Sequence, residues 1–135
     1  MNNNIEKIIL EEMNAFNINL IYIFGSYVRG NFTQKSDIDI AYYGELTIEE
    51  NLDLIYLLES KLERKIDLIN LKKSNENFLA EIVIEGKCMY YKNEEVRDNF
   101  EMRVLSNYLT LEEDRKIVID AIYKRGSIYG KGSIE

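Results

Sequence analysis

Short strand-like runs alternate with segments of helical periodicity along most of this chain. The strand-like runs are apolar, or alternate between apolar and polar residues, over residues 20–24, 37–42, 65–71 and 87–91. Apolar residues recur every three or four positions over about residues 4–15, 47–62, 75–85 and 93–125, with the last segment divided near Thr110. This alternation predicts an α/β fold in which helices pack on a small mixed sheet, with a helical C-terminal segment.

Several residues predict where the helices begin and end. Asn4 is a candidate N-cap of the first helix, and Thr47 with Glu50 forms a capping-box pattern at the start of the second. Gly86 is a natural C-cap of the third helix. The predicted buried face of the second helix consists of Leu52, Leu54, Ile55, Leu57, Leu58 and Leu62.

The length of 135 residues is typical of one domain. We expect a single domain over residues 1–135, with a core at about 4–91 and C-terminal helices at about 93–125. No apolar run approaches the roughly 18 residues of a membrane span, and the N-terminus lacks the pattern of a secretory signal. Cys88 is the single cysteine and is expected to be a small hydrophobe in a strand. These features predict a cytoplasmic protein.

Composition excludes several classes of function. The net charge of −7 and the pI near 4.8 disfavour binding of DNA or RNA, which draws its affinity from Lys and Arg on phosphates. The sequence contains no histidine, so Ser-His-Asp and Cys-His catalysis and the usual zinc sites are excluded. Carboxylates must therefore carry any acid–base or metal chemistry.

Two motifs near residue 30 point to phosphate and metal binding. Gly25 and Ser26 close a predicted strand and open a short helical turn, where free backbone amides favour a phosphate. Asp37 and Asp39 occupy positions i and i+2 of the next strand, so they are expected to lie side by side on one face. Two adjacent carboxylates repel each other, and a divalent cation between them reverses that cost.

Asp67 is the best candidate for a third carboxylate, because it is an unexplained charge in an otherwise apolar strand and could act as ligand and general base. Each element alone has an ordinary alternative. Gly-Ser after a strand is commonly a turn, Asp-x-Asp is commonly a solvated strand face, and Arg29 would ordinarily be a surface residue. Their combination and spacing favour a functional site.

The stretch Phe24-Gly25-Ser26-Tyr27-Val28-Arg29-Gly30, followed by Ser36-Asp37-Ile38-Asp39-Ile40, resembles the signature of the polymerase-β-like nucleotidyltransferases. More narrowly, the chain is similar to the minimal nucleotidyltransferases, and among them to the MntA-type antitoxins paired with HEPN toxins. This narrower resemblance rests on small size, the lack of a separate substrate domain and the helical C-terminal segment.

The resemblance implies a set of roles for the signature residues. It implies that Asp37 and Asp39 bind two Mg2+ ions and that Asp67 is the third carboxylate. It implies that the nucleotide is held by Gly25, Ser26, Arg29 and Ser36, with Arg29 steadying the loop or contacting phosphate. It further implies ATP as donor and a tyrosine hydroxyl of a partner HEPN toxin, encoded by the adjacent gene, as acceptor of AMP.

Other functions remain open at this stage. One alternative is a nucleotidyltransferase for a small molecule such as an antibiotic, with a homodimer completing the acceptor pocket. Another is a binding module that neutralises a toxin by covering it, without catalysis. In that case the contact surface could come from the C-terminal residues Tyr108, Leu109, Ile117, Ile119, Ile122 and Tyr123, which would otherwise complete the core.

Overall fold

The computed structural model describes residues 2–109 together with residues 116, 117, 119, 120 and 122. The elements follow in the order α1 (Asn2–Met13), β1 (Asn17–Phe24), α2 (Ser26–Arg29), β2 (Ile38–Glu45), α3 (Ile48–Leu62), β3 (Ile66–Asn70), a 3-10 turn (Leu71–Lys73), α4 (Glu76–Glu85), β4 (Lys87–Tyr91) and α5 (Glu94–Tyr108). This confirms the predicted mixed α/β fold, and β4 has the predicted bounds.

The four strands form one mixed sheet in the order β3-β2-β1-β4. β1 is antiparallel to both β2 and β4, whereas β2 and β3 are parallel. A parallel pair needs a crossover connection, and α3 supplies it. The two parallel strands therefore begin at the same edge of the sheet, and β1 ends there because it runs the other way.

Alternate strand residues face opposite layers of helices. One face is covered by α1 and α3, whose core residues pack against buried strand residues that include Ile23, Ile38, Ile40 and Leu68. The other face is covered by α4 and α5, and its buried strand residues are Leu20, Tyr22 and Ala41. The period of two along the strands thus directs neighbouring buried residues to opposite cores, with an interruption at the bulge between Ile18 and Leu20.

The capping residues are largely those that the sequence predicts. Thr47 accepts a hydrogen bond from the backbone N–H of Glu50, and the Glu50 side chain accepts one from the N–H of Thr47, as a capping box requires. Gly86 is the C-cap of α4. Asn4 is not an N-cap, because α1 begins at Asn2 and includes it.

The predicted buried face of α3 is too wide. Leu54 and Leu58 are buried, whereas Leu52 is 60% exposed and Leu57 is 37% exposed. Leu52 lies about 200° around the helix from Leu54, so both cannot face the same core. Because α3 carries apolar residues almost all round, their spacing alone does not show which side faces the sheet.

Strands β1 and β2 extend beyond the predicted runs. β1 begins at Asn17 and β2 continues to Glu45, and these two polar ends pair with each other. Gly44 is needed in this stretch, since a Cβ there would lie 2.5 Å from the carbonyl oxygen of Asn17. β2 also begins at Ile38 rather than Asp37.

The C-terminal segment is described in part. α5 ends at Tyr108, and the described residues from 116 to 122 are helical, whereas the predicted division of the helix near Thr110 lies outside the described residues. Ile122 is buried and packs with Leu105, so it belongs to the core, while Ile117 is exposed. None of the helices described combines the length and apolarity needed to cross a membrane.

Candidate active site

The turn between β1 and α2 depends on glycine at position 25. Gly25 has φ 74° and ψ −146°, a conformation that side-chain-bearing residues rarely adopt. A Cβ at this position would lie 2.1 Å from Oδ2 of Asp39. The backbone of the turn therefore lies directly against the Asp39 carboxyl group.

Helix α2 is the single turn that the sequence predicts after this glycine. Ser26 is its first residue and is half-buried, and Arg29 is its last and is exposed. The backbone N–H groups of Val28 and Arg29 both donate to the carbonyl oxygen of Gly25 at 3.1 Å. Gly30 ends the helix in the left-handed conformation with φ 89°.

Asp39 and Asp67 lie opposite each other on the two parallel strands. Their sequence neighbours Ile38, Ile40 and Ile66 are buried in the α1–α3 core, so both carboxylates are presented on the other face. Burial raises the pKa of Asp39 to about 6, assisted by the hydrogen bond and negative charge of Asp67. This pairing places the carboxylate predicted from β3 next to the one predicted from β2.

Asp37 lies one residue before β2 and is exposed. Its negative charge reaches Asp39 and contributes to the raised Asp39 pKa, and the Arg29 guanidinium opposes that shift. The sequence places Asp37 beside Asp39 on one strand, but the direct partner of Asp39 is Asp67. The parallel register between β2 and β3 decides this, and it is not visible in a local sequence pattern.

Across the part of the chain that the structure describes, no three Asp, Glu, Cys or His side chains are arranged so that they could hold a metal ion together. The chemistry of the donors nevertheless fits a hard divalent cation. Two carboxylates in contact favour keeping one proton between them, and Mg2+ prefers such carboxylate oxygens. Asp39, with its raised pKa, is the group at which a cation would replace a proton.

Ser36 lies in the loop between α2 and β2, where its hydroxyl takes part in a local turn. Its Oγ accepts a hydrogen bond from the backbone N–H of Thr33 at 2.9 Å and lies 3.2 Å from Thr33 Oγ1. The hydroxyl is thus used in shaping the loop that precedes Asp37. Any contact it makes with a nucleotide would be additional to this role.

Tyr27, the second residue of α2, connects the glycine turn to Glu6 on α1. The sequence pattern gave Tyr27 no role. Its hydroxyl donates to Glu6 at 2.8 Å, and Lys87 on β4 donates to the same carboxylate oxygen at 2.8 Å. Burial and the bond to Glu6 raise the pKa of Tyr27 to about 12. The three residues are far apart in sequence, so no local pattern could have connected them.

The profile of the family described as "Polymerase beta, Nucleotidyltransferase" matches residues 3–95. The match includes the glycine turn and all three aspartates described above. The chain therefore belongs to the polymerase-β nucleotidyltransferase family, and it is a nucleotidyltransferase. The sequence-based identification of the family is confirmed.

Solved structures similar to this chain come from toxin–antitoxin complexes. A toxin–antitoxin structure with AMP-PNP aligns at 28% identity and TM-score 0.70, covering 87% of this chain and 98% of the other. The complex of a tri-AMPylated Shewanella oneidensis HEPN toxin with an MNT antitoxin aligns at 26% identity and TM-score 0.68, covering 91% and 99%. A variant MntA toxin–antitoxin structure aligns at 30% identity and TM-score 0.68, covering 87% and 97%. No curated protein matches the chain.

Proposed function

We propose that this nucleotidyltransferase transfers AMP from ATP to a tyrosine hydroxyl of a HEPN-type toxin and thereby neutralises the toxin. The observation that carries the proposal is the pairing of Asp39 with Asp67 against the Gly25 turn. It occurs in a chain similar over most of its length to a structure that contains an AMPylated HEPN toxin and an MNT antitoxin.

The site residues divide into two groups in this proposal. The triphosphate is bound at the turn and loop that carry Gly25, Ser26, Arg29 and Ser36. Asp37, Asp39 and Asp67 are the residues that would hold two Mg2+ ions. Bound Mg2+ would neutralise charge on the triphosphate and lower the pKa of the attacking hydroxyl.

The chain's own groups then account for the transfer. The tyrosine oxygen forms a bond to the α-phosphorus of ATP, the bond from that phosphorus to the oxygen bridging to the β-phosphate breaks, and pyrophosphate leaves. The hydroxyl proton passes to the Asp67 carboxylate, which acts as general base. Arg29, whose charge already reaches Asp39, adds positive charge beside the phosphates.

We also propose that residues 1–135 act as one catalytic domain that completes its site by binding a partner. The net charge of −7 favours a partner with a basic surface, because opposite potentials accelerate and orient association. The partner then supplies the acceptor tyrosine, and the functional unit is a hetero-oligomer.

The test is transfer of label from α-32P-ATP with Mg2+ to the protein encoded by the adjacent gene. Wild-type protein should label that partner on tyrosine, and the variant with Asp37→Asn and Asp39→Asn should lose labelling. Asp53→Asn is the matched control, because Asp53 is an exposed aspartate on α3. A partner left unlabelled by wild type would overturn the proposal.

A growth assay with the same variants separates catalysis from binding. The double aspartate variant should fail to protect cells from the partner, whereas Asp53→Asn should protect them. Protection by the double variant at ordinary expression would show that binding alone neutralises the toxin.

A further inference from the structure

The guanidinium group of Arg64 lies against the loop of residues 30–37 that joins α2 to β2. Its NH1 donates to the carbonyl oxygen of Thr33 at 2.7 Å and to that of Ser36 at 3.1 Å. Its Cζ lies 4.4 Å from the centroid of the Phe32 ring. One side chain from the α3–β3 connection thus contacts three residues of the loop.

The backbone at the end of α3 accounts for this placement. Glu63 is the C-cap in the left-handed conformation with φ 55°, and its N–H donates to the carbonyl oxygen of Glu59 at 2.8 Å. This conformation is uncommon for a residue other than glycine, and it reverses the chain immediately before Arg64. The next carbonyl, that of Lys65, accepts a hydrogen bond from Ile38 N–H at 3.0 Å.

The loop has hydrogen bonds of its own, but they join loop residues to each other. Ser36 N–H donates to the Thr33 carbonyl at 3.1 Å, and Lys35 N–H donates to Thr33 Oγ1 at 3.2 Å. Such bonds fix the shape of a turn and not its position on the fold. The Arg64 bonds join the same turn to the segment that leads into β3.

We propose that Arg64 is a positioning residue for the nucleotide site, acting through the loop that carries Ser36 and Asp37. The Ser36 carbonyl belongs to the peptide that leads into Asp37, so a bond to it restrains the orientation of Asp37. Asp39 and Asp67 are held by the sheet itself, whereas Asp37 precedes the strand. The inference rests on the proposed function of this site.

Arginine suits this role because of its planar group. The guanidinium donates to two carbonyl oxygens while its face lies over an aromatic ring, a combination that a lysine ammonium reproduces only in part. The Phe32 ring in turn makes an edge contact with Tyr27, at 5.1 Å between ring centroids. The contacts of Phe32 with Arg64 and with Tyr27 therefore connect the loop that precedes Asp37 to the short helix that follows Gly25.

The first test measures backbone hydrogen exchange in the full chain and needs no enzymatic activity. Arg64→Met should raise exchange about tenfold at the amides of Thr33, Lys35 and Ser36, because two charge-assisted hydrogen bonds are lost. Exchange in the paired strands β2 and β3 should not change. Arg64→Lys keeps the charge and should give a smaller increase than Arg64→Met.

Lys61→Met is the matched control for the loss of a cation. Lys61 is also near the end of α3, but it pairs with Glu12 on α1 at 2.5 Å. The Lys61→Met variant should exchange its loop amides at the wild-type rate. Unchanged loop exchange in Arg64→Met would overturn the proposal, whatever the wild-type protein catalyses.

The second test measures the Kd of AMP-PNP by calorimetry in the presence of Mg2+. Arg64→Met should raise Kd about tenfold and Lys61→Met should not, since only the first releases Asp37. Faster loop exchange with an unchanged Kd would overturn the positioning role. If wild-type protein binds no nucleotide at all, the proposed function fails, and the exchange experiment still decides whether Arg64 anchors the loop.

Discussion

The two faces of the sheet are built from the same strands but differ in what their side chains do. Toward α1 and α3, the buried strand residues are almost all aliphatic, and Ile23, Ile38 and Ile40 are fully buried. Toward α4 and α5, the strands present Tyr22, Asp39 and Asp67. Both faces therefore bury apolar residues, but only the face toward α4 and α5, here called the polar face, also carries the carboxylates of the candidate chemistry.

The polar face has two parts, one covered by α5 and one at the sheet edge that carries Asp39 and Asp67. Where α5 covers it, the Tyr22 hydroxyl donates to Glu101 at 2.6 Å and Arg97 Nε donates to the same oxygen at 3.1 Å. Burial, followed by the negative charge of Glu101, raises the pKa of Tyr22 far above its usual value. Charges are therefore paired internally under α5, whereas at the sheet edge the Asp39–Asp67 pair is available to a cation.

The largest expected effect on stability comes from breaking this internal pair. Arg97→Met removes the guanidinium that donates to the buried Glu101 carboxylate, which should lower the free energy of unfolding by about 3 kcal/mol. Arg103→Met is the control, because Arg103 is exposed on the same helix and lies over the Phe100 ring. Equal urea midpoints for the two variants would show that the polar face depends on packing alone.

Neighbouring residues of β2 should separate the two faces most directly. Ile40→Ala should cost about 3 kcal/mol of unfolding free energy by opening a cavity, with little change in transfer rate per folded molecule. Asp39→Asn should abolish transfer without lowering stability in the absence of metal, since it removes a partly buried charge beside Asp67. Thermal unfolding and the labelling assay measure the two effects. Loss of transfer in Ile40→Ala at temperatures where it is folded would contradict the separation.

The apolar face could largely be predicted from sequence, and the polar face only in part. Period-two alternation identified β2 and β3, since each aliphatic residue there has one core to enter. The same rule could not show that Asp39 pairs with Asp67 rather than Asp37, because strand register is a long-range property. Likewise, Tyr22 and Glu101 are 79 residues apart, and neither has a local pattern that indicates the other.

Two glycines of positive φ provide the next comparison. Gly25→Ala should reduce transfer about a hundredfold, because the added Cβ displaces the Asp39 carboxyl from its place against the turn. Gly30→Ala also puts a side chain at positive φ, but in the milder left-handed region, and nothing lies within 4 Å of its Cβ. It should therefore lose about 1 kcal/mol of stability with near-normal transfer once folded. Similar losses of transfer in both variants would mean that backbone strain, and not contact with Asp39, controls the site.

The smallest expected effect is a pH dependence of stability that arises from Asp39 on the polar face. Without metal, the pKa of Asp39 is about 6 in the folded protein and about 4 when unfolded, so between these values only the folded state holds the proton. Stability should therefore fall as pH rises through this window, because the unfolded state binds fewer protons. Asp39→Asn should remove that slope, and Ile40→Ala should keep it on a lower curve. Added Mg2+ should offset the fall toward pH 6, since a cation binds the deprotonated pair. If the slope of stability against pH survives in Asp39→Asn, the slope belongs to another group. The Asp39–Asp67 pair would then not be the source of the pH dependence.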